Sequence, residues 1–257
     1  MSRKLRPNQE QLEKQLVWKF FNCATQGVFV EVGANHPTLR SQTWHLEQQG
    51  WTGILVEPNP ELCQLLRDQR PRSRTFEAAA GRPDQVGEVE LLMGKSHVHS
   101  TLVPVNGDPL SGATLRVQLR TLDSMLAEAG VDRIDFLSID VEGSELFVLE
   151  GLNLEKYAPR LIFVEEHRRN YKKHFYLRRH GYRLVKRTDI NNWYVPHDSP
   201  ATVRSLNTPA ERLYLFRKMW LNVPLKNLRR KIKSLLRRKP ADTHPPGSTG
   251  GPKPTPL

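Results

Sequence analysis

The sequence predicts an α/β protein with a doubly wound, mostly parallel sheet that an antiparallel hairpin closes at one edge. Short apolar runs rich in β-branched residues are typical of buried parallel strands and are too short for helices. These runs lie at 28–32, 53–56, 134–139 and 160–164. Helical stretches separate them, and this alternation places helices on both faces of a parallel sheet. The edge hairpin is predicted by the runs 182–186 and 193–195, which flank an Asp-Ile-Asn-Asn turn.

The other elements follow from the same patterns. Apolar residues at helical spacing predict helices at 8–22, 39–49, 60–69, 121–129, 145–149 and 170–180. Gly50, Gly130 and Gly181 are placed to end three of them. Further strands are predicted at 74–80, 87–93 and 115–119. The domain organisation predicted is a helix in residues 1–25 packed on the core, a catalytic domain over 26–200, a basic helical tail over 201–239 and a disordered end over 240–257.

Residues 28–60 form the most informative unit: a strand, a Gly-Ala-Asn turn, a helix and a second strand ending at Glu57. This is a βαβ unit of about 30 residues. Gly33 leaves room for a ligand near the backbone, and an acid after the second strand can accept hydrogen bonds from both ribose hydroxyls. The pattern predicts a nucleoside site. The alternative is an ordinary βαβ turn followed by a chance acid.

The nucleoside predicted for this unit has no pyrophosphate. The dinucleotide fingerprint needs three glycines in the pattern G-x-G-x-x-G, whereas Gly33 is followed by Ala-Asn-His-Pro. S-adenosylmethionine carries no phosphate, so one glycine and the polar Asn35 suffice for it. The missing glycines also argue against a nicotinamide-dependent oxidoreductase.

The net charge of +12 is concentrated in the last 57 residues. Residues 1–200 hold 26 Lys and Arg against 25 Asp and Glu, whereas residues 201–257 hold 13 against 2. The basic balance is therefore a property of the tail. Cys23 and Cys63 have no paired spacing, which favours a reducing compartment over a disulfide or zinc framework. A polar N-terminus without an apolar signal region, and the lack of any run of 18 apolar residues, favour a cytoplasmic protein.

Polar residues follow four of the predicted parallel strands. They are Gly33 and Asn35, Glu57, Asp140 with Glu142, and Glu165, Glu166 and His167. Ligands of open α/β sheets bind beyond the carboxyl ends of the strands, so these side chains are expected to converge on one rim.

The segments around these positions resemble, in their order along the chain, the FkbM family of S-adenosylmethionine-dependent O-methyltransferases. They are Glu-Val-Gly-Ala-Asn at 31–35, Val-Glu-Pro at 56–58, Thr-Leu-Asp-Ser at 121–124, Ile-Asp-Val-Glu-Gly-Ser-Glu at 139–145 and Val164-Glu165 followed by His167. The resemblance covers residues 26–196. Pro37 stands where many relatives have a glycine.

The resemblance implies a Rossmann-like fold of the class I methyltransferase type, acting on hydroxyls of sugars or polyketide-type natural products. By this analogy the cofactor's methionine end is held by Glu31, Gly33, Ala34 and Asn35. The ribose is held at Glu57 and Pro58, the adenine lies near Ala79, and Asp140 faces the methyl-transfer centre.

Methylating an alcohol requires a base or a metal to take its proton. The catalytic candidates are Asp140, Glu166 and His167. His167 suits a base at neutral pH, with a structural hydrogen-bonding role as the alternative. Asp140 and Glu166 alternatively share a divalent cation with substrate oxygens. Glu142 and Glu145 are as well placed to stabilise the following helix N-terminus as to touch substrate.

Three further segments carry open alternatives. The loop 94–113, with His97 and His99, is interpreted as a cover over the substrate or as plain exposed loop, because a third metal ligand is not nearby. The basic helix 170–180 either lines an entrance for an acidic substrate or is a solvated face. In the tail, 225–239 has an apolar stripe at helical spacing and eight Lys and Arg without an acid. Together with the apolar and aromatic residues of 213–220 before it, this segment favours an anionic membrane surface as the partner of residues 213–239. Nucleic acid, a partner protein or solvent are the alternatives.

The function predicted is S-adenosylmethionine-dependent O-methylation of a sugar, glycolipid precursor or natural product, at the inner membrane face. An RNA methyltransferase and a non-catalytic membrane-associated scaffold with the same fold are the other hypotheses. Against the RNA enzyme, Asp140-Val141-Glu142-Gly143 stands where a Pro-Pro-Tyr-type tetrapeptide would stack a base.

Overall fold

The computed structural model describes residues 7–92, 101–103, 114–166, 172–188 and 190–199, and the single residues 213, 228, 229 and 232. The helices are α1 Pro7–Phe20, α2 Trp44–Glu47, α3 Pro60–Gln69, α4 Leu122–Glu128, α5 Glu145–Glu150, α6 Leu154–Tyr157 and α7 Lys172–Arg179. The strands are β1 Val28–Val32, β2 Thr52–Glu57, β3 Ser73–Glu77, β4 Ala79–Ala80, β5 Gly87–Leu92, β6 Thr101–Val103, β7 Thr114–Arg120, β8 Phe136–Ile139, β9 Leu161–Glu165, β10 Tyr182–Thr188 and β11 Asn191–Pro196.

The main sheet has seven strands in the order β10-β11-β9-β8-β1-β2-β3. The five strands from β9 to β3 run parallel, and β11 pairs antiparallel with both β9 and β10. This is a doubly wound, Rossmann-like sheet of the class I methyltransferase type with an antiparallel edge hairpin. The predicted fold class is confirmed.

Side chains alternate between the two faces of the main sheet, so that each face has its own apolar core. Val30 and Val32 of β1 pack into one core with helices α4 and α5. Phe29 points the other way and packs with Phe136 and Phe163 of the neighbouring strands. Helix α1 joins this second core, because Val17 near its end is fully buried there.

A second sheet, in the order β4-β7-β5-β6, was not predicted. The predicted strand 74–80 breaks at Ala78, so that β3 stays in the main sheet and β4 pairs with β7. Strands β5 and β7 pair over six residue positions. Its strands contribute Ala79, Leu91, Val117 and Leu119, which pack together as a third apolar cluster.

The prediction of a helix over 39–49 was wrong in length, because helix α2 covers only Trp44–Glu47. Before it the chain turns in ways a helix does not allow. His36 Nδ1 accepts hydrogen bonds from the backbone N–H groups of Thr38 and Leu39, and Arg40 has a φ of 62°. Ser41 Oγ accepts from the N–H groups at 43 and 44. Local side-chain bonds of this kind compete with helix formation.

The chain divides into two units, Met1–Leu215 and Phe216–Leu257. In the second unit the structure describes Leu228, Arg229 and Ile232, which are helical and exposed. Apart from these three residues and Leu213, the predicted basic tail and the predicted disordered end lie outside the described residues. So do His97, His99 and most of the loop 94–113, of which 101–103 form β6. Among the described residues, none of the helices has the length and apolar character needed to cross a membrane.

Candidate active site

A pocket opens at the carboxyl ends of β1, β2 and β8, beside β4 and β5. It contains about 630 Å³ of empty space, part of it open to solvent. The residues that line it are Val32, Gly33, Asn35, Val56, Glu57, Pro58, Ala78, Ala79, Ala80, Leu91, Asp140, Val141, Glu142 and Ser144. The polar ends of β1, β2 and β8 therefore meet at this pocket, whereas Glu165 and Glu166, which were expected at the same rim, are not among the residues that line it.

The turn after β1 is held against the ends of both neighbouring strands. The backbone N–H groups of Gly33 and Ala34 donate to the carbonyl of Val56, at 2.9 and 3.1 Å. Gly33 has a φ of +81°, and a Cβ built on it would lie 2.0 Å from the Asp140 carbonyl oxygen. The glycine is therefore required first by the close approach of β8, and this packing brings Asn35 and Asp140 to the same pocket.

Glu57, at the end of β2, is 6% exposed and fixed by two backbone hydrogen bonds. Its Oε2 accepts from the Asn35 N–H at 2.8 Å, and its Oε1 accepts from the Asn59 N–H at 2.9 Å. Burial raises the pKa of Glu57, and these two N–H groups oppose that rise. Each oxygen keeps a lone pair, so the carboxylate can accept two further bonds from a vicinal diol.

One wall of the pocket is small and apolar. Ala78, Ala79 and Ala80 are all buried, and Leu91 from β5 joins them. Small apolar side chains of this kind leave room beside Glu57, which suits an apolar ring next to a ribose. Ala79, predicted to border an adenine, lies in this wall.

The opposite wall carries a pair of carboxyl groups. Asp140 lines the pocket and hydrogen-bonds Glu165, which is buried at the end of β9. Burial, then that hydrogen bond, then the charges of Glu165, Glu142 and Glu145 raise the pKa of Asp140 well above its usual range. Burial is also the main cause that raises the pKa of Glu165, to about 7. Both shifts favour the protonated form, so this pair binds a proton more readily than two ordinary carboxyl groups would.

The same wall offers oxygen ligands for a cation. Asp140, Glu142 and Glu165 each place a carboxylate oxygen within 4.8 Å of the other two. Hard divalent cations such as Mg²⁺ prefer oxygen ligands, so the donor set fits one. The cation-sharing pair proposed from the sequence was Asp140 with Glu166, whereas the structure groups Asp140 with Glu165.

Two of the predicted catalytic residues do not line the pocket. Glu166 is buried beside β9, and its carboxylate lies 3.3 Å from the Lys173 ammonium. His167 lies outside the described residues. Of the three catalytic candidates, Asp140 is the one that the structure places in the pocket wall.

Glu31 and Ala34 also lie away from the pocket lining. Glu31 is buried, and its carboxylate accepts hydrogen bonds from the hydroxyls of Ser41 and Thr43 and from the backbone N–H of Gln42. Ala34 is buried in the core on the same side of the sheet as Phe29. Glu31 therefore positions the segment after the turn. The other predicted cofactor contacts, Gly33, Asn35, Glu57, Pro58, Ala79 and Asp140, line the pocket.

Arg70, which sequence analysis missed, holds the segment between the turn and α2. Its guanidinium is fully buried, pairs with Glu47, and donates to the Pro37 carbonyl at 3.0 Å and to Ser41 Oγ at 3.2 Å. It also donates to Thr43 Oγ1 at 3.0 Å. In the sequence Arg70 is one of four arginines between residues 67 and 74, and no pattern separates it from the exposed ones.

Val141, Ser144 and Leu91 line the pocket and were also missed. Val141 and Ser144 belong to the segment 139–145 that carries the resemblance, so closer attention to that segment would have found them. Leu91 reaches the pocket from the second sheet, and its position depends on a long-range pairing without a local signal.

Solved structures similar to this chain include methyltransferases with little sequence identity. A precorrin-6y C5,15-methyltransferase from Geobacter metallireducens is 12% identical, with a TM-score of 0.40 over 76% of this chain and 90% of that one. TrmK from M. capricolum, in complex with S-adenosyl-homocysteine, is 11% identical, with a TM-score of 0.44 over 94% of this chain and 91% of that one.

A curated relative and a family model match the sequence itself. The AMB antimetabolite synthetase AmbE of Pseudomonas aeruginosa is 32% identical over 108 residues, which are 38% of this chain. This chain spans only 5% of AmbE's length. The model of the Methyltransferase FkbM domain matches residues 31–184, which is more than half of the chain and includes every residue that lines the pocket. The chain belongs to the FkbM methyltransferase domain family.

Proposed function

We propose that this protein transfers a methyl group from S-adenosylmethionine to a hydroxyl group of a small-molecule or glycan acceptor. The observation that carries the proposal is the arrangement of the pocket. A diol-binding carboxylate, Glu57, stands beside an apolar slot at one end, and the carboxyl pair of Asp140 and Glu165 stands at the other.

The nucleoside end fits the adenosine part of the cofactor. Glu57 is preset by two backbone bonds to receive both ribose hydroxyls, and the alanine wall borders the adenine. The turn at Gly33 and Asn35 borders the methionine part. When bound, S-adenosylmethionine supplies a methyl group on a positively charged sulfur. An acidic wall favours a cation of this kind in the pocket.

The carboxyl pair takes the proton of the acceptor hydroxyl. Asp140 faces the pocket, and Glu165 behind it hydrogen-bonds Asp140. A carboxyl pair in which the pKa of Glu165 is raised to about 7 can accept a proton from an alcohol and pass it to solvent. A divalent cation held by Asp140, Glu142 and Glu165 is the alternative way to activate the hydroxyl. Added chelator distinguishes the two mechanisms, because it abolishes activity only if the cation is required.

The acceptor class is a sugar, a glycolipid precursor or a natural product. AmbE is named an antimetabolite synthetase, which supports a natural-product acceptor. The basic segment 225–239, with its apolar stripe, supports a place at the cytoplasmic face of an anionic membrane, where lipid-linked sugars are accessible.

Calorimetry with S-adenosylmethionine tests the proposal, using the wild type, Glu57→Ala and the control Glu61→Ala. Glu61 lies exposed on helix α3, just after the strand end that carries Glu57. Loss of the charged acceptor is expected to weaken binding roughly 10- to 100-fold, whereas Glu61→Ala leaves it unchanged. NAD is expected not to bind. A folded wild type that binds no S-adenosylmethionine contradicts the methyltransferase proposal and favours the scaffold.

RNA is the second acceptor class, and the basic tail is the observation in its favour. A screen that compares sugar and lipid-linked acceptors with transfer RNA and other structured RNAs, using radiolabelled cofactor, decides between them. Methylation of RNA alone contradicts the small-molecule proposal.

A further inference from the structure

Lys173 is a buried lysine that lies directly behind the acidic wall of the pocket. Its side chain projects from α7 and is 5% exposed as a residue. The ammonium donates to Glu145 Oε2 at 2.9 Å and to the Glu165 carbonyl at 2.6 Å, and it lies 3.3 Å from the Glu166 carboxylate. These three partners match the three donors that an ammonium carries.

Glu145 extends this contact to the pocket itself. While its Oε2 accepts from Lys173, its Oε1 accepts from the Gly143 N–H at 2.6 Å. The turn it holds is unusual, since Glu142 and Gly143 have φ values of 51° and 116°. The same turn lines the pocket through Val141 and Ser144. A continuous chain of hydrogen bonds therefore runs from the end of β9 through Lys173 and Glu145 to the pocket wall.

We propose that Lys173 is a positioning residue for methyl transfer, and that it fixes the wall turn 140–144 against the strand end that carries Glu165. The inference rests on the proposed function, because it concerns the acidic wall, which that function assigns to the sulfonium. Without the ammonium, the carboxylates of Glu145 and Glu166 lose their shared cation and repel each other, and the two segments move apart. The nucleoside end is formed by β2 and β4, which are not among the elements that this chain of bonds joins.

Two probes separate the two ends of the pocket. S-adenosylmethionine fills both, whereas 5′-methylthioadenosine carries the nucleoside and a neutral sulfur but lacks the amino-acid part. Calorimetry measures both probes on the full-length wild type, Lys173→Met, Glu145→Gln and the double variant. Lys172→Met, at the exposed neighbouring position on α7, is the matched control.

Each single variant is expected to weaken S-adenosylmethionine binding about tenfold, because a small displacement of a binding wall has effects of this size. Methylthioadenosine affinity is expected to stay within about twofold. The double variant should bind S-adenosylmethionine no more weakly than the single variant with the lower affinity, since each single substitution already breaks the same linkage. The isosteric Glu145→Gln keeps the test open if Lys173→Met does not fold.

Equal loss of both probes, or no loss of either, overturns the inference. Additive losses in the double variant also overturn it, because they show independent roles. If the wild type binds neither probe, the proposed function fails and the inference fails with it. If the wild type binds both and Lys173→Met binds as the wild type does, the inference alone fails.

Discussion

The raised pKa values of Asp140 and Glu165 determine how activity depends on pH. The pKa of Glu165 is raised to about 7 and that of Asp140 is raised well above its usual range, so protonation of the pair increases as the pH falls below neutral. A protonated pair cannot accept the proton of the acceptor. We expect kcat/KM to rise with pH through an apparent pKa of about 7, as measured over pH 5–9 with an identified acceptor.

Replacing Asp140 removes the carboxyl group that faces the pocket. Asp140→Asn is expected to lower kcat about 10²- to 10⁴-fold, which is the usual contribution of a general base. Asp132→Asn, at an exposed position before β8, is the control. An acidic limb centred near the ordinary pKa of a carboxyl group, or near-normal turnover in Asp140→Asn, contradicts this role.

The same pair should lower the stability of the unliganded protein above neutral pH. The folded protein binds a proton at Glu165 up to about pH 7, whereas an unfolded chain loses it near the ordinary glutamate pKa of 4.5. Between these values the folded state holds more protons than the unfolded state, so the free energy of unfolding falls as pH rises. Glu165→Gln abolishes this penalty.

Urea unfolding at pH 5 and pH 8 measures this penalty. At pH 8, Glu165→Gln is expected to be more stable than the wild type by on the order of 1–3 kcal/mol, and at pH 5 the difference should shrink. An equal difference at both pH values would show that the amide acts through packing and not through the charge.

Single residues differ in how far their roles follow from sequence. Glu57 and Asp140 come directly after buried strands, so the rule for open parallel sheets places them at the pocket rim. Glu31 was expected there as well, but it shares the parity of Phe29 in β1. Since alternate residues of a strand face opposite sides, it points toward the core that holds Phe29, and away from Val30 and Val32.

At the scale of elements, the segment between β1 and α2 depends on a buried charge cluster. Arg70 follows α3 and reaches across to Glu47, while its guanidinium also lies over the rings of Phe29 and Trp44. Removing one partner of such a pair leaves the other charge buried. Arg70→Met is therefore expected to destabilise the protein by about 3–5 kcal/mol in urea unfolding.

Arg67 provides the matched control on the same helix. It forms an ion pair with Glu77 at 3.1 Å, and both side chains are more than 40% exposed. Arg67→Met should therefore cost only about 0–1 kcal/mol. Similar losses in both variants would mean that Arg70 is no more important than a surface pair.

The parallel strands β1, β2, β8 and β9 could be predicted because each is a local apolar run of four to six residues. The second sheet could not. Its strand β4 is two residues long, and its partner β7 lies about 40 residues further along the chain. The pairing is specified by tertiary contacts such as Ala79 against Leu119, for which the sequence has no local signal.

At the scale of the whole molecule, charge is divided unequally along the chain. Residues 1–200 are nearly neutral, and the excess positive charge lies in 201–257. An acidic pocket wall and a basic tail therefore have separate roles in our proposal, one in chemistry and one in location. This division predicts that substitutions in the tail change membrane binding without changing cofactor binding, and that substitutions in the pocket wall do the reverse.

The tail provides the test of location. Leu228 and Ile232 are helical, exposed, and four residues apart, so they lie on one face of a helix between basic residues. Leu228→Glu with Ile232→Glu is expected to weaken binding to phosphatidylserine vesicles more than about tenfold, because burial of each apolar side chain contributes about 1.5–3 kcal/mol. Cofactor affinity should not change.

Sedimentation of the full-length protein with these vesicles measures the effect, and neutral phosphatidylcholine vesicles control for charge. Arg229→Gln, on the same helical segment, removes one charge and leaves the apolar stripe intact. It should weaken binding only modestly, by about 1 kcal/mol per basic residue. If the double variant keeps full vesicle binding, the apolar stripe does not enter the membrane. If the wild type instead binds structured RNA and binds neither kind of vesicle, the tail contributes to binding an RNA acceptor.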